Sequence, residues 1–168
     1  FTKYGNKVGD AIPKNNWSDF NKAEVKVLEK VTRLDEFERP IRLNFDDFYL
    51  IGYIDSNDKE LTTLIDYKTG GLDKVSVYED DSYIQLAVYA AAIEQETGKL
   101  PKEAFVELIE RTGNPWKGDE LAIGKKIVKI PQDISPKKIK EVTKDLEKAV
   151  EEISEHYKVF EVLNNILV

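Results

Sequence analysis

The sequence predicts an α/β sandwich around one mixed sheet. Three observations carry that reading. Runs of period-two alternation occur in two groups, three before residue 70 and two after residue 100. Stretches of helical periodicity precede, separate and follow them, giving the order helix, three strands, helix, two strands, helix. The 168 residues are 41% hydrophobic and 34% charged, which closes one core and leaves a charged surface, so one domain spanning residues 1–168 is expected.

In chain order, residues Tyr4 to Ile12 form a short candidate helix weakened by Gly5 and Gly9 and stopped by Pro13. A loop, Lys14 to Trp17, follows. Ser18 or Asp19 is placed to cap a second helix, in which Phe20, Ala23, Val27 and Val31 recur on one face while Lys22, Lys26 and Lys30 lie outward. From Leu34 the period changes to two: Phe37, Ile41, Leu43 and Phe45 alternate with Arg42 and Asn44, and Asp46-Asp47 makes a turn. Phe48 to Asp55 and Leu61 to Lys68 complete an antiparallel meander across the polar loop Ser56 to Glu60. Gly70-Gly71 breaks the sheet. The acidic stretch Glu79 to Ser82 leads into a helix from Tyr83 to Thr97, apolar nearly all round and ended by Gly98 and Pro101. Ala104 to Ile109 and Leu121 to Ile130 are the last two strands. Ser135-Pro136 opens a long helix with Ile139, Val142, Leu146, Ala149, Val150, Ile153 and Tyr157 on one stripe.

Several chemistries are excluded by composition. Without Cys there are no disulfides, zinc–thiolate sites, iron–sulfur clusters or cysteine nucleophiles, and His156 alone cannot build an imidazole cage or leave a triad with a spare. No apolar run is long enough to cross a bilayer and no signal-peptide pattern is visible, so a cytoplasmic or nucleoid-associated protein is expected. The chain has no Met and begins at Phe1, which reads as a segment excised from a longer product, with other domains as partners. Its net charge of −7 is uneven: residues 1–98 carry −7, whereas 99–140 carry +4. In that basic part Lys125 and Lys126, with Lys129, Lys137, Lys138, Lys140, Arg111 and Trp116, have the composition to track a phosphate backbone and stack a base. A solvated lysine face has the same composition.

The remaining chemistry must rest on carboxylates, lysines or hydroxyls. In Leu64-Ile65-Asp66-Tyr67-Lys68-Thr69-Gly70, alternation sets Asp66 and Lys68 on one face. A strand-end carboxylate beside an ammonium suits metal-assisted phosphodiester hydrolysis, with the Asp holding a hard cation and the Lys orienting water or offsetting charge in the transition state. It equally suits a plain same-face ion pair. Asp55, after Gly52-Tyr53-Ile54, offers a second carboxylate. Gln85 and Tyr89, four apart on one helical face, could touch a phosphate or orient Lys68. Ser82-x-x-Gln85 also has the form of a capping box, and Tyr89 that of a core aromatic. If Ser56 to Glu60 closed a symmetric hairpin, Asp55 would face Leu61, so a shared site requires a bulge, a crossing or a divergence of strands.

Gly52-Tyr53-Ile54-Asp55, Ile65-Asp66-Tyr67-Lys68-Thr69-Gly70 and Gln85-Leu86-Ala87-Val88-Tyr89, in that order, resemble the PD-(D/E)XK nucleases of the RecB-like exonuclease branch. The resemblance implies a restriction-endonuclease-like sandwich, a central mixed β-sheet flanked by helices, and a metal-dependent deoxyribonuclease using Mg²⁺ or Mn²⁺. It implies an exonuclease whose partners are DNA ends or single strands, at work in DNA repair, recombination or phage replication. It makes Asp55 and Asp66 metal ligands and catalytic residues, Lys68 the catalytic lysine and the Tyr67 carbonyl a further ligand. Gln85 and Tyr89 become DNA contacts. The sequence departs from the branch near its start. Many members carry a metal-binding His in a Tyr-Gly-x-x-Val-His helix, whereas here Tyr4-Gly5-Asn6-Lys7-Val8 is followed by Gly9 and Asp10. Asp10 is then a weak candidate ligand, and the alternative function is a catalytically impaired, nuclease-like DNA-binding or assembly module.

Overall fold

A computed structural model describes residues 20–113, 117, 119 and 121–166, with side chains through Lys158. The expectations for Tyr4 to Ile12, for Asp10 as a ligand, for the loop Lys14 to Trp17, for caps at Ser18 or Asp19 and for Trp116 lie outside these residues.

Helix α1, Lys22–Leu28, is capped by Asn21, whose side chain accepts from the Ala23 and Glu24 amides while Glu24 accepts from the Asn21 amide, a complete capping box. Val27, Leu28 and Val31 are buried; Ala23, expected inward, is exposed, because the face is turned toward Glu24 and Leu28. Buried Glu24 also accepts from the Ile123 amide, tying the helix to the sheet.

The sheet runs β1 (Glu36–Asn44), β2 (Tyr49–Asn57), β3 (Thr63–Gly70), β4 (Glu103–Thr112) and β5 (Ala122–Pro131) in spatial order 1-2-3-4-5. All neighbours are antiparallel except β3 and β4, which are parallel. The parallel pair needs a crossover, and residues 71–102 supply it. Within it lie a short 3₁₀ turn at Leu72–Lys74 and helix α2, Val75–Glu79, neither of them expected, then helix α3, Gln85–Thr97. Helix α3 ends where Gly98 takes φ of 73°, a left-handed cap that glycine adopts without strain. Helix α4 is Pro136–Ile166, with Ser135 accepting from the Lys138 amide.

Both faces of the sheet are covered. On one, Leu86, Ala90 and Ile93 of α3 and Ile139 of α4 pack on Ile54, Leu64, Val106 and Leu108. On the other, Phe20, Val27, Leu28 and Val31 pack on Ile109 and Ile123. The α/β sandwich with a mixed sheet and flanking helices is therefore the observed architecture. The long stripe of α4 is only half used: Ile139 and Val142 are buried and Leu146 packs on the core, but Ala149, Ile153 and Tyr157 are exposed because the helix runs past the edge of the domain. Among the described residues no helix is long and apolar enough to cross a membrane.

Candidate active site

The β2–β3 hairpin sets the geometry. Its loop is not Ser56 to Glu60 but residues 58–62. Asp58 folds it: one carboxylate oxygen accepts from the Thr62 and Thr63 amides at 2.8 and 2.6 Å, and the other from the Thr62 hydroxyl at 2.7 Å. Partial burial of Asp58 works to raise its pKa, but these bonds prevail and hold the carboxyl below the usual range. Leu61 adopts φ of 56°, the left-handed conformation that closes the turn. The resulting register pairs Ser56 with Ile65 and Asn57 with Leu64, and one step further Asp55 stands across from Asp66.

There the ladder stops. Beyond Ser56 and Ile65 the strands part, which is the divergence that a shared site requires. In a regular ladder the Tyr67 amide would bond the β2 backbone; here it donates to the Asp55 carboxylate at 2.8 Å. A strand residue turns its N–H and C=O toward the same neighbour, so the Tyr67 carbonyl also faces the gap that β2 vacates.

Asp66 is fully buried and surrounded by donors. Lys68 Nζ lies 2.8 Å from Oδ1 and 2.7 Å from Oδ2, Gln85 Nε2 donates to Oδ1 at 3.1 Å, and the Tyr83 hydroxyl donates to Oδ2 at 2.8 Å. Gln85 Nε2 also donates to the Tyr89 hydroxyl at 2.7 Å, so Asp66, Gln85 and Tyr89 are chained through one amide. The capping box at Ser82 does not form. The N-cap position is Ile84, with no side-chain cap, and Gln85 is directed to Asp66 instead. Tyr83, which no spacing rule singles out, is placed by an edge-on contact with Tyr78 of α2 at 5.1 Å between ring centres. Burial first, and then the charge of Asp66, raise its phenol pKa, so Tyr83 stays a proton donor. The Tyr89 phenol is likewise raised, first by burial.

Tyr89 reaches this position because residue 52 has no side chain. A Cβ there would stand 3.2 Å from Tyr89 Cε1. Gly52→Val is expected to push the ring out and cost about 1–3 kcal/mol in chemical denaturation, the usual range for overpacking. Gly52→Ala should cost distinctly less.

Two carboxylates share this site with one ammonium, and the imbalance is visible in Asp55. Burial first, and then the charge of Asp66, push its pKa from 3.8 up to about 6, against the opposing pull of the Tyr67 amide and Lys68. A carboxyl whose folded value is raised binds its proton more tightly when folded. That contribution to stability is complete below about pH 4 and is lost as the pH rises through 6. Asp55→Asn keeps an acceptor for the Tyr67 amide and removes the titration. In thermal melts of the metal-free protein it should flatten the loss of stability between pH 4 and 7 and raise Tm at pH 7 by roughly 2–4 °C, the shift that 1 kcal/mol gives in a domain of this size. A variant as pH-sensitive as the parent would show that Asp55 is not the group responsible.

The other sequence candidates lie apart. Lys125 and Lys126 sit on edge strand β5, two strands from β3, and their amides bond Glu110. With Lys30 and Lys129 they line a groove of about 510 Å³. At its base Glu107 is fully buried, accepting from the Thr32 amide at 3.0 Å, and burial raises its pKa. His156 is exposed on α4. Among the described residues no three His, Asp or Glu side chains gather as a metal cluster.

The profile of the PD-(D/E)XK nuclease superfamily matches residues 6–165. No curated protein matches the chain significantly. A solved structure from Eubacterium rectale, described as a "Putative exonuclease", aligns with 15% identity and a TM-score of 0.46 over 88% of this chain and 50% of that one. The chain thus spans half the length of that protein.

Proposed function

On the premise that the chain belongs to the PD-(D/E)XK nuclease superfamily, we propose that it hydrolyses DNA phosphodiester bonds with Mg²⁺ or Mn²⁺, acting exonucleolytically on DNA ends or single strands. Asp55, Asp66 and Lys68 form its catalytic centre. The observation that carries this reading is the hairpin register, which sets Asp55 across from Asp66 with Lys68 on the same carboxylate.

The donor set fits a hard divalent cation. Asp55, Asp66 and the Tyr67 carbonyl are all oxygen donors, and Asp55, its pKa raised by burial and then by the Asp66 charge, is a carboxyl whose ionised form a cation would favour. A cation held by them supplies a Lewis acid for the phosphate and a water of lowered pKa. The chain's own residues do the rest. Asp66 is buried and so is held as a ligand of fixed direction, its ammonium partner being the only fully charged donor on it among the described residues. Lys68, 28% exposed, has one side open to a substrate, where it can orient the attacking water and offset charge on the phosphoryl oxygens. Gln85 ties Lys68 and Asp66 to Tyr89, which presents its phenol at the rim of the gap as a phosphate donor. Lys125 and Lys126 engage backbone phosphates farther along the strand.

The exonucleolytic mode rests on the resemblance of the three motifs between Gly52 and Tyr89 to the RecB-like branch. Labelled linear single- and double-stranded DNA and a closed circle, each incubated with Mg²⁺, Mn²⁺ or EDTA, test the reading. Mononucleotides or short products from linear DNA, none from the circle and none in EDTA are expected. Cleaved circles would make the protein an endonuclease, and DNA bound but uncut under every metal condition would make it a binding module.

A further inference from the structure

Among the described residues only two acids have no exposure at all, Asp66 and Glu107. Asp66 belongs to the carboxylate site. Glu107 lies on β4 as the neighbour of Tyr67 in the parallel ladder, and alternation turns both side chains to the face that packs on α1, away from α3. The ion pairs among the described residues do not include Glu107. Its donors come from one residue: the Thr32 amide lies 3.0 and 3.2 Å from its two oxygens, and the Thr32 hydroxyl 3.3 Å from the first. Thr32 is held at its carbonyl too, which accepts from the Tyr67 phenol at 2.5 Å. Glu107, Thr32 and Tyr67 thus form a clip that fastens the segment between α1 and β1 across the backs of β3 and β4.

A buried carboxylate without a cation is costly, and an apolar side chain would fill the same space. What the charge adds is a strong, directed bond to the Thr32 amide. The residue gripped at the other end is the one at which β3 has lost its neighbour. Past Ile65 the β2 ladder is gone, and on that edge the Tyr67 peptide bonds the Asp55 carboxylate alone. A strand bonded to its neighbour along one edge only tilts more easily about its axis, and its free carbonyl tilts with it. The Tyr67 side chain stands across the sheet and supplies an anchor against that tilt. Burial, the first cause, pushes its phenol pKa up to about 12, so it stays a proton donor.

We infer that Glu107 and the Tyr67 phenol are positioning residues for the cation site. From the opposite face of the sheet the clip fixes the Tyr67 peptide, and with it the direction of the carbonyl that faces the gap and of the amide that holds Asp55. This role rests on the metal-dependent reading proposed above.

Isothermal titration with Mn²⁺, without DNA, tests it. Tyr67→Phe removes one hydroxyl and keeps the ring; Glu107→Ala removes the acceptor of the Thr32 amide, and Glu107→Gln keeps one acceptor oxygen. Val27→Ala, in the same apolar cluster but outside the clip, is the control for lost stability. Tyr67→Phe and Glu107→Ala should each weaken Mn²⁺ binding by about threefold to tenfold, at or below the lower end of the loss seen for partners that orient metal ligands. Glu107→Gln should lie nearer the parent than Glu107→Ala, and Val27→Ala should lower Tm with Mn²⁺ affinity unchanged. Cleavage by Tyr67→Phe should need more Mn²⁺ for half its maximal rate and keep that maximum. If Glu107→Ala does not fold, Tyr67→Phe decides. Mn²⁺ affinity of Tyr67→Phe within twofold of the parent overturns the inference and leaves the clip a structural staple. An equal loss in Val27→Ala overturns it too, by making metal affinity a readout of stability. A parent that binds no Mn²⁺ overturns the metal-dependent reading and the positioning role together.

Discussion

Asp66→Asn is expected to lower DNA cleavage by about a thousandfold or more, since a lost anionic ligand removes several kcal/mol of transition-state stabilisation. DNA binding should survive. The substitution keeps the shape of the side chain, but the amide meets donors from Lys68, Tyr83 and Gln85 and can accept only with its oxygen. One donor is left facing another, at a cost of about 1–3 kcal/mol. Against this, removing the charge relieves Asp55, so the Asp55 carboxyl should return toward its ordinary range. Initial cleavage rates on labelled DNA, with a gel shift in Ca²⁺ beside them, check the result. Activity within tenfold of the parent would show that Asp66 is not a ligand.

Lys68→Ala should stop hydrolysis too, and it should cost more stability than any other single change in the site. It leaves a fully buried carboxylate with its charged partner gone and Asp55 close by. Breaking a buried pair costs about 3–5 kcal/mol; with Lys68 partly exposed, a value near the lower end, and a fall in Tm of roughly 6–12 °C, is expected. The loss depends on pH in a direction that can be worked out. Below about pH 6 Asp55 carries its proton, and the two carboxyl groups need the ammonium less. Lys68→Ala should therefore be destabilised more at pH 8 than at pH 5 when melted without metal. Loss of Ca²⁺-supported DNA binding together with hydrolysis would make Lys68 a phosphate anchor rather than a group acting on the attacking water.

Much of the site is legible in the sequence because its parts are local. Asp66 and Lys68 share a strand face by period two, and Gln85 and Tyr89 share a helix face by period four. How the parts meet is not local. The hairpin register depends on Asp58 capturing two amides and a hydroxyl of Thr62 and Thr63, and polarity alone, which marks the loop as Ser56 to Glu60, does not show it. The role of Tyr83 is not local for a different reason. It lies just before α3, outside any repeat, and only its contact with Tyr78, on a five-residue helix that no periodicity reveals, turns it toward Asp66. The apolar stripe of α4 is continuous in the sequence. Where the domain beneath it ends is a property of the whole fold, and that boundary decides that Ile139 is buried and Ile153 is not.

The bond from the Tyr67 amide to Asp55 makes one carboxylate a wedge as well as a candidate ligand. It keeps two strands apart and satisfies the backbone group that their separation exposes. A descendant that lost Lys68 or Asp66 would still need a short side-chain acceptor at position 55, Asp or Asn, to keep the gap from leaving an orphaned N–H. Across related sequences, an acid at this position is then a marker of the parted hairpin, and only its company with Asp66 and Lys68 is a marker of the proposed catalytic centre.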